Sequence, residues 1–432
     1  MPPAAALRRD LKSLVRKLSA DSRPLEQMQA LHTIATEVSQ EGGAGNQAAV
    51  AAAGAIPALV RLLGAGSDAG LQANAAVTLS WLAELRENAA MIAAAGAIPR
   101  LVRLLGPGSP GVVQAKTACA LQFLASHAGK SATIAAAGAI PLLVRLLAPG
   151  HGPDVRIQSA GLLGMMAEHD VSTINTIAAG GAIPPLVQLL GLESSSDEVR
   201  HAIGALTNLA NCARSMVSIT LAGAIPPLVR LLGSGSEADV QRAVCGTLAN
   251  LAANPWNSVA IAIAGAIPRL VDLLGRGSPP EVQERALDAL TNLAMLNDDN
   301  KATIIAAGAI PTLVQLLRRG SPGALTVLAF LSYDDSAASA AAGAIPCLVK
   351  LLGPHSCSDV QQRDAGVLLS LARTDDIAVA IAAGGAIPPL VLLLGPGSPS
   401  LVQEFAARAL NLLARNAGSA SAIAAAQAAV RR

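Results

Sequence analysis

Three asparagines, Asn208, Asn250 and Asn292, recur with a period of about 42 residues, the kind of fixed spacing that repeat proteins show. An amide side chain offers N–H donors and an acceptor oxygen together. A row of such groups suits gripping the N–H and C=O of an extended peptide without reading its side chains. Alternatively, each asparagine satisfies its own local backbone. The same period, stepped backwards from Asn208, reaches Met165, Phe123 and Trp81 in turn, an apolar run in a chain with two Trp, one Tyr and three Phe. Exposed, such side chains anchor a partner; covered, they pack over neighbouring segments. Arg200 and Arg242, each two helical turns ahead of an asparagine, complete the candidate peptide-binding set.

Bond-making chemistry has no comparable pattern. No GxGxxG, P-loop, HExxH or GxSxG stands in a context that gives it meaning. His127 and His169 occupy equivalent places one period apart. Packed helices lie about 8–10 Å apart, too far for the two to share a zinc ion. Cys347, His355 and Cys357 make a loose set of ligands rather than a site. Asp298–Asp299, Asp334–Asp335 and Asp375–Asp376 read as solvated turns and helix caps. No catalytic residue, metal or cofactor is expected, and the chain is not read as an enzyme.

What must position the asparagines is a repeat. Gly-Ala-Ile-Pro begins at Gly54, Gly96, Gly138, Gly181, Gly223, Gly265, Gly308, Gly343 and Gly385. These positions follow one another at nearly constant distance, apart from one short step between Gly308 and Gly343. A fixed period of this length implies an α-solenoid. In residues 257–296, Asn257 to Ala264 reads as a short helix ended by Gly265, since glycine best adopts the left-handed helix-ending conformation. Pro268 opens a medium helix and Gly275-Arg276-Gly277 closes it. Ser278-Pro279 starts a long third helix, with serine as the N-cap. Counted from each glycine, the asparagines and Trp81, Phe123 and Met165 share one position on that third helix. A row on the second helices, with Arg61, Arg103, Arg145 and Arg230, reads as a solvated face.

Apolar residues make up 52% and aromatics 1%, so the core is built from Leu, Ile, Val and Ala. A net charge of +2 excludes a strong electrostatic case for nucleic acid. Mean hydropathy is +0.49, yet the recurring junction interrupts every apolar stretch before the roughly 18 residues a membrane span needs. Five scattered cysteines without a CxxC pair or secretory signal suggest reduced thiols in the cytosol or nucleus. The basic, amphipathic start, with Leu7, Leu11, Leu14 and Leu18, reads as a capping helix or a weak targeting signal.

The segment Ala222 to Asn257, AGAIPPLVRLLGSGSEADVQRAVCGTLANLAANPWN, resembles an armadillo repeat, and the resemblance covers nearly the whole chain. HEAT repeats have a similar period but lack the short first helix and the Gly-Ala-Ile-Pro junction. The style is similar to armadillo arrays of plant and protist proteins, some joined to U-box ubiquitin ligases, and of the fungal vacuole-membrane armadillo protein. No U-box segment occurs in this sequence. The resemblance implies that third helices line a concave groove where an asparagine ladder holds a peptide backbone. It also implies a tryptophan one turn earlier, as in importin-α. Those places hold Val77, Cys119, Gly161, Gly204, Gly246, Asp288, Gly366 and Arg408. The mid-helix glycines mean either tight packing or room for a ligand.

The expected fold is an all-α, right-handed armadillo superhelix forming a single solenoid over residues 1–432. Residues 7–43 form a leading partial repeat, 44–416 the tandem repeats and 417–432 a closing helix. The short step after Gly308 predicts a stunted third helix starting near Ser321, missing the equivalent of Glu281 to Asp288. Apolar surface would then be exposed around Val282, Ala286 and Val360. The expected function is a non-catalytic scaffold or adaptor that binds an extended or helical protein segment. The alternatives are an importin-α-like transport adaptor or the substrate-recognition part of a U-box-type ligase. A monomer in the cytoplasm or nucleus is expected, with no nucleic-acid, small-molecule or membrane-spanning role.

Overall fold

The computed structural model describes residues 4–19, 21–39, 44–127, 129–168, 170–295, 297–331 and 342–430. All regular structure among them is helical. The chain forms two compact units, residues 1–227 and 228–432. In the first, Ala4–Lys17 and Pro24–Ser39 precede the repeats, whose long third helices are Ala69–Leu82, Gly111–Ala125, Pro153–Met166 and Ser196–Leu209. Each of these packs on the next. In the second unit the third helices are Ala238–Ala252, Pro280–Met295, Pro322–Leu331, Ser358–Leu371 and Ser400–Leu413, again stacked in order, followed by Ala417–Val430. Each unit is thus an all-α solenoid of stacked helical repeats. No single described helix is long and apolar enough to cross a membrane.

The tetrapeptide works largely as its residues dictate. Eight of its nine glycines have φ between 75° and 87°, the left-handed conformation that glycine adopts without strain. Gly343 is the exception and lies in the short 3-10 turn Ala342–Ala344. The proline sits in the first turn of the second helix, as Pro57 does in Ala55–Leu62. The first four N–H groups of a helix have no intrahelical partner, so its missing donor costs little there. Ile56, Leu59, Ile98 and Leu101 are at most 1% exposed, each burial contributing about 1.5–3 kcal/mol.

Two expectations about helix ends are corrected. In most repeats the first helix is not shorter than the second: Arg86–Ala94 has nine residues and Ala97–Leu104 has eight, while Lys130–Ala136 and Asp298–Ala306 are each one residue shorter than the helix that follows. Where a side chain caps the helix, it does so ahead of the apolar run. Asn254 accepts from the N–H groups of Trp256 and Asn257, so that helix starts at Pro255. Serine is also not the general cap of third helices. Pro110 and Pro399 take the cap position with no side-chain cap bond. Ser321 does act as a cap, its Oγ accepting from the Ala324 N–H at 3.3 Å.

A glutamine clasp fixes the turn between second and third helices. Gln72, Gln114, Gln241, Gln283, Gln361 and Gln403 donate from Nε2 to the carbonyls of Gly64, Gly106, Gly233, Gly275, Gly353 and Gly395 at 2.7–2.9 Å. Each of these carbonyls, just past the second helix, also accepts from the N–H of the serine three residues on, so the amide adds a second bond that pins the turn to the third helix. In the Gly138 repeat the glutamine is replaced by Arg156. Its Nε lies 2.6 Å from Glu198 Oε1, and the Glu198 side chain is 2% exposed. Glu198 also closes a capping box with Ser195.

The short repeat has a ten-residue third helix, Pro322–Leu331, against 14 residues in Ser358–Leu371 and 16 in Pro280–Met295. The expected exposure of its neighbours is not observed. Val282 is 1% and Ala286 0% exposed, and Val360 is half-buried. Left-handed Gly320 (φ 86°) turns the chain immediately after Ala309–Arg318. Gly323 then lies so close to Leu287 that a Cβ would meet its Cδ1 at 3.0 Å. Ser321 Oγ donates to Glu284 Oε1 at 2.8 Å. The truncated helix still packs against both neighbouring third helices.

Candidate peptide-binding face

Asn208, on Ser196–Leu209, belongs to the first unit, and Asn250 and Asn292, on Ala238–Ala252 and Pro280–Met295, to the second. All three are half-buried in the last turn of their helices. Asn208 Nδ2 donates to the Gly164 carbonyl at 3.0 Å, and Asn292 Nδ2 to the Ala249 carbonyl at 2.8 Å. Both acceptors lie on the preceding third helix. One N–H of each of these two amides therefore ties neighbouring repeats together, and at most one N–H and the oxygen remain for a partner.

The glycines one turn earlier divide between the two explanations. Gly161 is packed, since a Cβ would come within 3.1–3.2 Å of Gln122 and His201 side-chain atoms. Gly164, on the same helix, is tight against backbone, with Ala205 Cα at 3.2 Å. Gly204, Gly246 and Gly366 have nothing within 4 Å of a built Cβ. Gly204 and Gly246 lie one turn before Asn208 and Asn250 on the same helix face, so open space adjoins those amides.

Trp81, Phe123 and Met165 lie on successive third helices of the first unit and are half-buried. Each is neither a free surface side chain nor a fully covered core one. Arg200 and Arg242 meet carboxylates of their own helices: Arg200 is 2.9 Å from Asp197, and Arg242 is 3.8 Å from Asp239. Such exposed i,i+3 pairs are worth a few tenths of a kcal/mol each.

Two of the thiols are poor nucleophiles. Burial pushes Cys245 up to about 12 and also raises Cys119, so neither is a thiolate near neutrality. His127 Nε2 lies 2.6 Å from the Ala83 carbonyl of the preceding repeat, which gives it a structural partner. His169 and the pair Asp334–Asp335 lie outside the described residues. Asp298 and Asp375 begin helices. Among the described residues no group of three His, Cys, Asp or Glu side chains could hold a metal ion. Asp364 is fully buried, and neither carboxylate oxygen has a hydrogen-bond partner among the described residues. Burial raises its pKa well above the ordinary carboxylate range.

Sequence reasoning overlooked the glutamine clasp and the Arg156–Glu198 pair. The clasp had a visible signal, a glutamine at one fixed distance after the tetrapeptide glycine in six repeats. The pair had a weaker one: Glu198 stands where other repeats carry Leu71, Val113, Val155, Val240, Val282, Val360 and Val402.

A family model described as Armadillo/beta-catenin-like repeat matches residues 43–83, 222–253 and 255–295. No curated protein sequence matches the chain. The crystal structure of an engineered protein, a Northeast Structural Genomics Consortium target, is 32% identical with a TM-score of 0.85. That match covers 94% of this chain and 98% of the engineered one. A second engineered protein from the same consortium is 30% identical with a TM-score of 0.52, over 56% of this chain and 98% of its own. Repeated left-handed glycines, stacked third helices and these matches agree, and the chain belongs to the armadillo repeat family.

Proposed function

We propose that the protein is a non-catalytic interaction scaffold that holds an extended segment of a partner protein along its third helices. Armadillo repeats are in general protein-interaction scaffolds, but a fold alone does not select a partner. The observation that carries the reading is the open space one turn before an asparagine in each unit, at Gly204 before Asn208 in the first and at Gly246 before Asn250 in the second. A backbone can approach there, and an amide beside it offers hydrogen-bonding groups of both kinds. Within the first unit, Trp81, Phe123 and Met165 supply half-buried apolar anchors for a protein segment. Arg200 and Arg242 supply cations whose carboxylate pairs lie at the surface. An importin-α-like role has less support, because the turn before each asparagine carries Gly204, Gly246 or Asp288 in place of tryptophan. Nothing in the sequence or the matches points to a U-box ligase.

The test is the triple variant Asn208→Ala, Asn250→Ala, Asn292→Ala, assayed against a partner recovered by crosslinking affinity purification. Each lost group is worth about 0.5–1.5 kcal/mol, so affinity should fall by one to several kcal/mol. Stability should also fall, because Asn208 and Asn292 each donate to the adjacent helix. Binding is therefore measured at a temperature where circular dichroism shows the variant folded. Unchanged affinity in a folded variant would remove the clamp from the account.

A further inference from the structure

The third helices Ser358–Leu371 and Ser400–Leu413 and the residues just after them line a cavity of about 580 Å³. Its walls include Arg373, Arg408 and Arg415, and its apolar part is formed by Leu369, Phe405 and Leu412. The volume lies within the roughly 300–1,000 Å³ typical of ligand pockets. The chain as a whole carries a net charge of only +2, so three arginines around one cavity are a local concentration. Arg408 is shared with Glu404 at 3.4 Å. Arg373 and Arg415 are exposed and have no carboxylate partner among the described residues.

Helix-end electrostatics do not account for these arginines. A cation just past a helix C-terminus is favoured by the backbone dipole, and Arg373 and Arg415 occupy such places. The same place in earlier repeats holds Glu84, Ser126, Glu168, Asn211, Ala253 and Met295. The fold therefore tolerates acids and neutral residues there. Phe405 is equally unusual. Its position holds Asn74, Lys116, Gln158, His201, Ala243, Arg285 and Arg363 in other repeats. A half-buried aromatic thus stands where the other third helices carry polar or small side chains.

We infer that this cavity is a docking site for an acidic peptide segment, one with carboxylates on both sides of an apolar side chain. The inference rests on the reading that third-helix faces bind protein segments. Charge complementarity selects the acids, because the guanidinium fork pairs with carboxylate in a bidentate manner. The floor of Leu369, Phe405 and Leu412 selects the apolar residue, and it would be idle against a free phosphate. Arg408 and Arg415 are two helical turns apart, about 10 Å along a helix axis. Three residues of extended chain, at about 3.3 Å each, cover the same distance. Two acids within four consecutive residues can therefore meet two arginines at once.

The test uses fluorescence anisotropy with the full chain and the labelled peptide Ser-Asp-Glu-Leu-Asp-Glu-Ser. The control is Ser-Asn-Gln-Leu-Asn-Gln-Ser, which has the same shape without charge. The acidic peptide should bind about tenfold or more tightly than the control. Arg373→Gln with Arg415→Gln should abolish that difference, and Phe405→Ala should remove the benefit of Leu over Ser at the peptide centre. Arg103→Gln, at an exposed place on a second helix of the first unit, should leave binding of this peptide unchanged. If the arginine variant does not fold, the peptide comparison on the parent chain decides. Equal binding of the two peptides, or acidic-peptide binding that survives the loss of both arginines, would overturn the inference. So would tighter binding of single-stranded oligothymidylate through the same arginines, which would mark a general polyanion site. Any of these three failures would leave the proposed scaffold function standing, because that is tested with a protein partner and the three asparagines.

Discussion

Asp364→Ala should stabilise the second unit. The side chain is 0% exposed, both oxygens lack a hydrogen-bond partner among the described residues, and burial raises its pKa well above the ordinary range. A polar group buried without a partner costs about 1–3 kcal/mol in proteins. Alanine suits the position, because Ala75, Ala202, Ala286 and Ala406 occupy the same register and are 0% exposed. The variant should therefore gain about 1–3 kcal/mol, less the small loss of contacts from the removed carboxyl. In a domain of about 150–250 residues each kcal/mol moves Tm by about 2–4 °C. The pH dependence has a definite sign. The unfolded Asp ionises near about 3.9, while the folded one remains protonated to a higher pH. The parent thus loses stability as pH rises from the unfolded value towards the folded-state pKa, and the loss is constant above it. The alanine variant lacks this loss, so its advantage should widen across that window. Urea and thermal melts of both proteins at several pH values measure it. A variant less stable than its parent near neutrality, or an advantage independent of pH, would show that Asp364 has a partner or access to water.

Trp81→Ala and Phe123→Ala should weaken partner binding more than folding. Because the rings are half-buried, each should cost less than the roughly 3–5 kcal/mol of a fully buried aromatic. A loss in that full range with unchanged affinity would assign the rings to the core. In hydrogen exchange, Pro322–Leu331 should be the least protected third helix, since it has ten residues and a solenoid repeat leans only on its neighbours. Protection equal to that of Pro280–Met295 would contradict this.

The repeat was legible because its signals are local and recur. Gly-Ala-Ile-Pro encodes a left-handed glycine and a first-turn proline, and the structure holds both in nearly every copy. The shortened helix was legible from the short step between Gly308 and Gly343, and its start near Ser321 agrees with the structure. How its neighbours closed around it was not legible, because that depends on Gly323 meeting Leu287, a contact between repeats. The asparagine register could be counted from the glycines, but the direction of each amide could not. Asn208 and Asn292 turn one N–H to the preceding helix, and only the packed backbone shows an acceptor there. The Arg156–Glu198 pair was hidden for the same reason: its members are distant in sequence and belong to successive repeats.

Site-specific photocrosslinking tests the scaffold account most directly. A benzophenone amino acid placed at Gly246, where nothing lies within 4 Å of a built Cβ, should capture the partner protein. The same group at Arg103, on the exposed side of a second helix, should not. Capture from position 103 without capture from position 246 would place binding on the second-helix face and contradict the account.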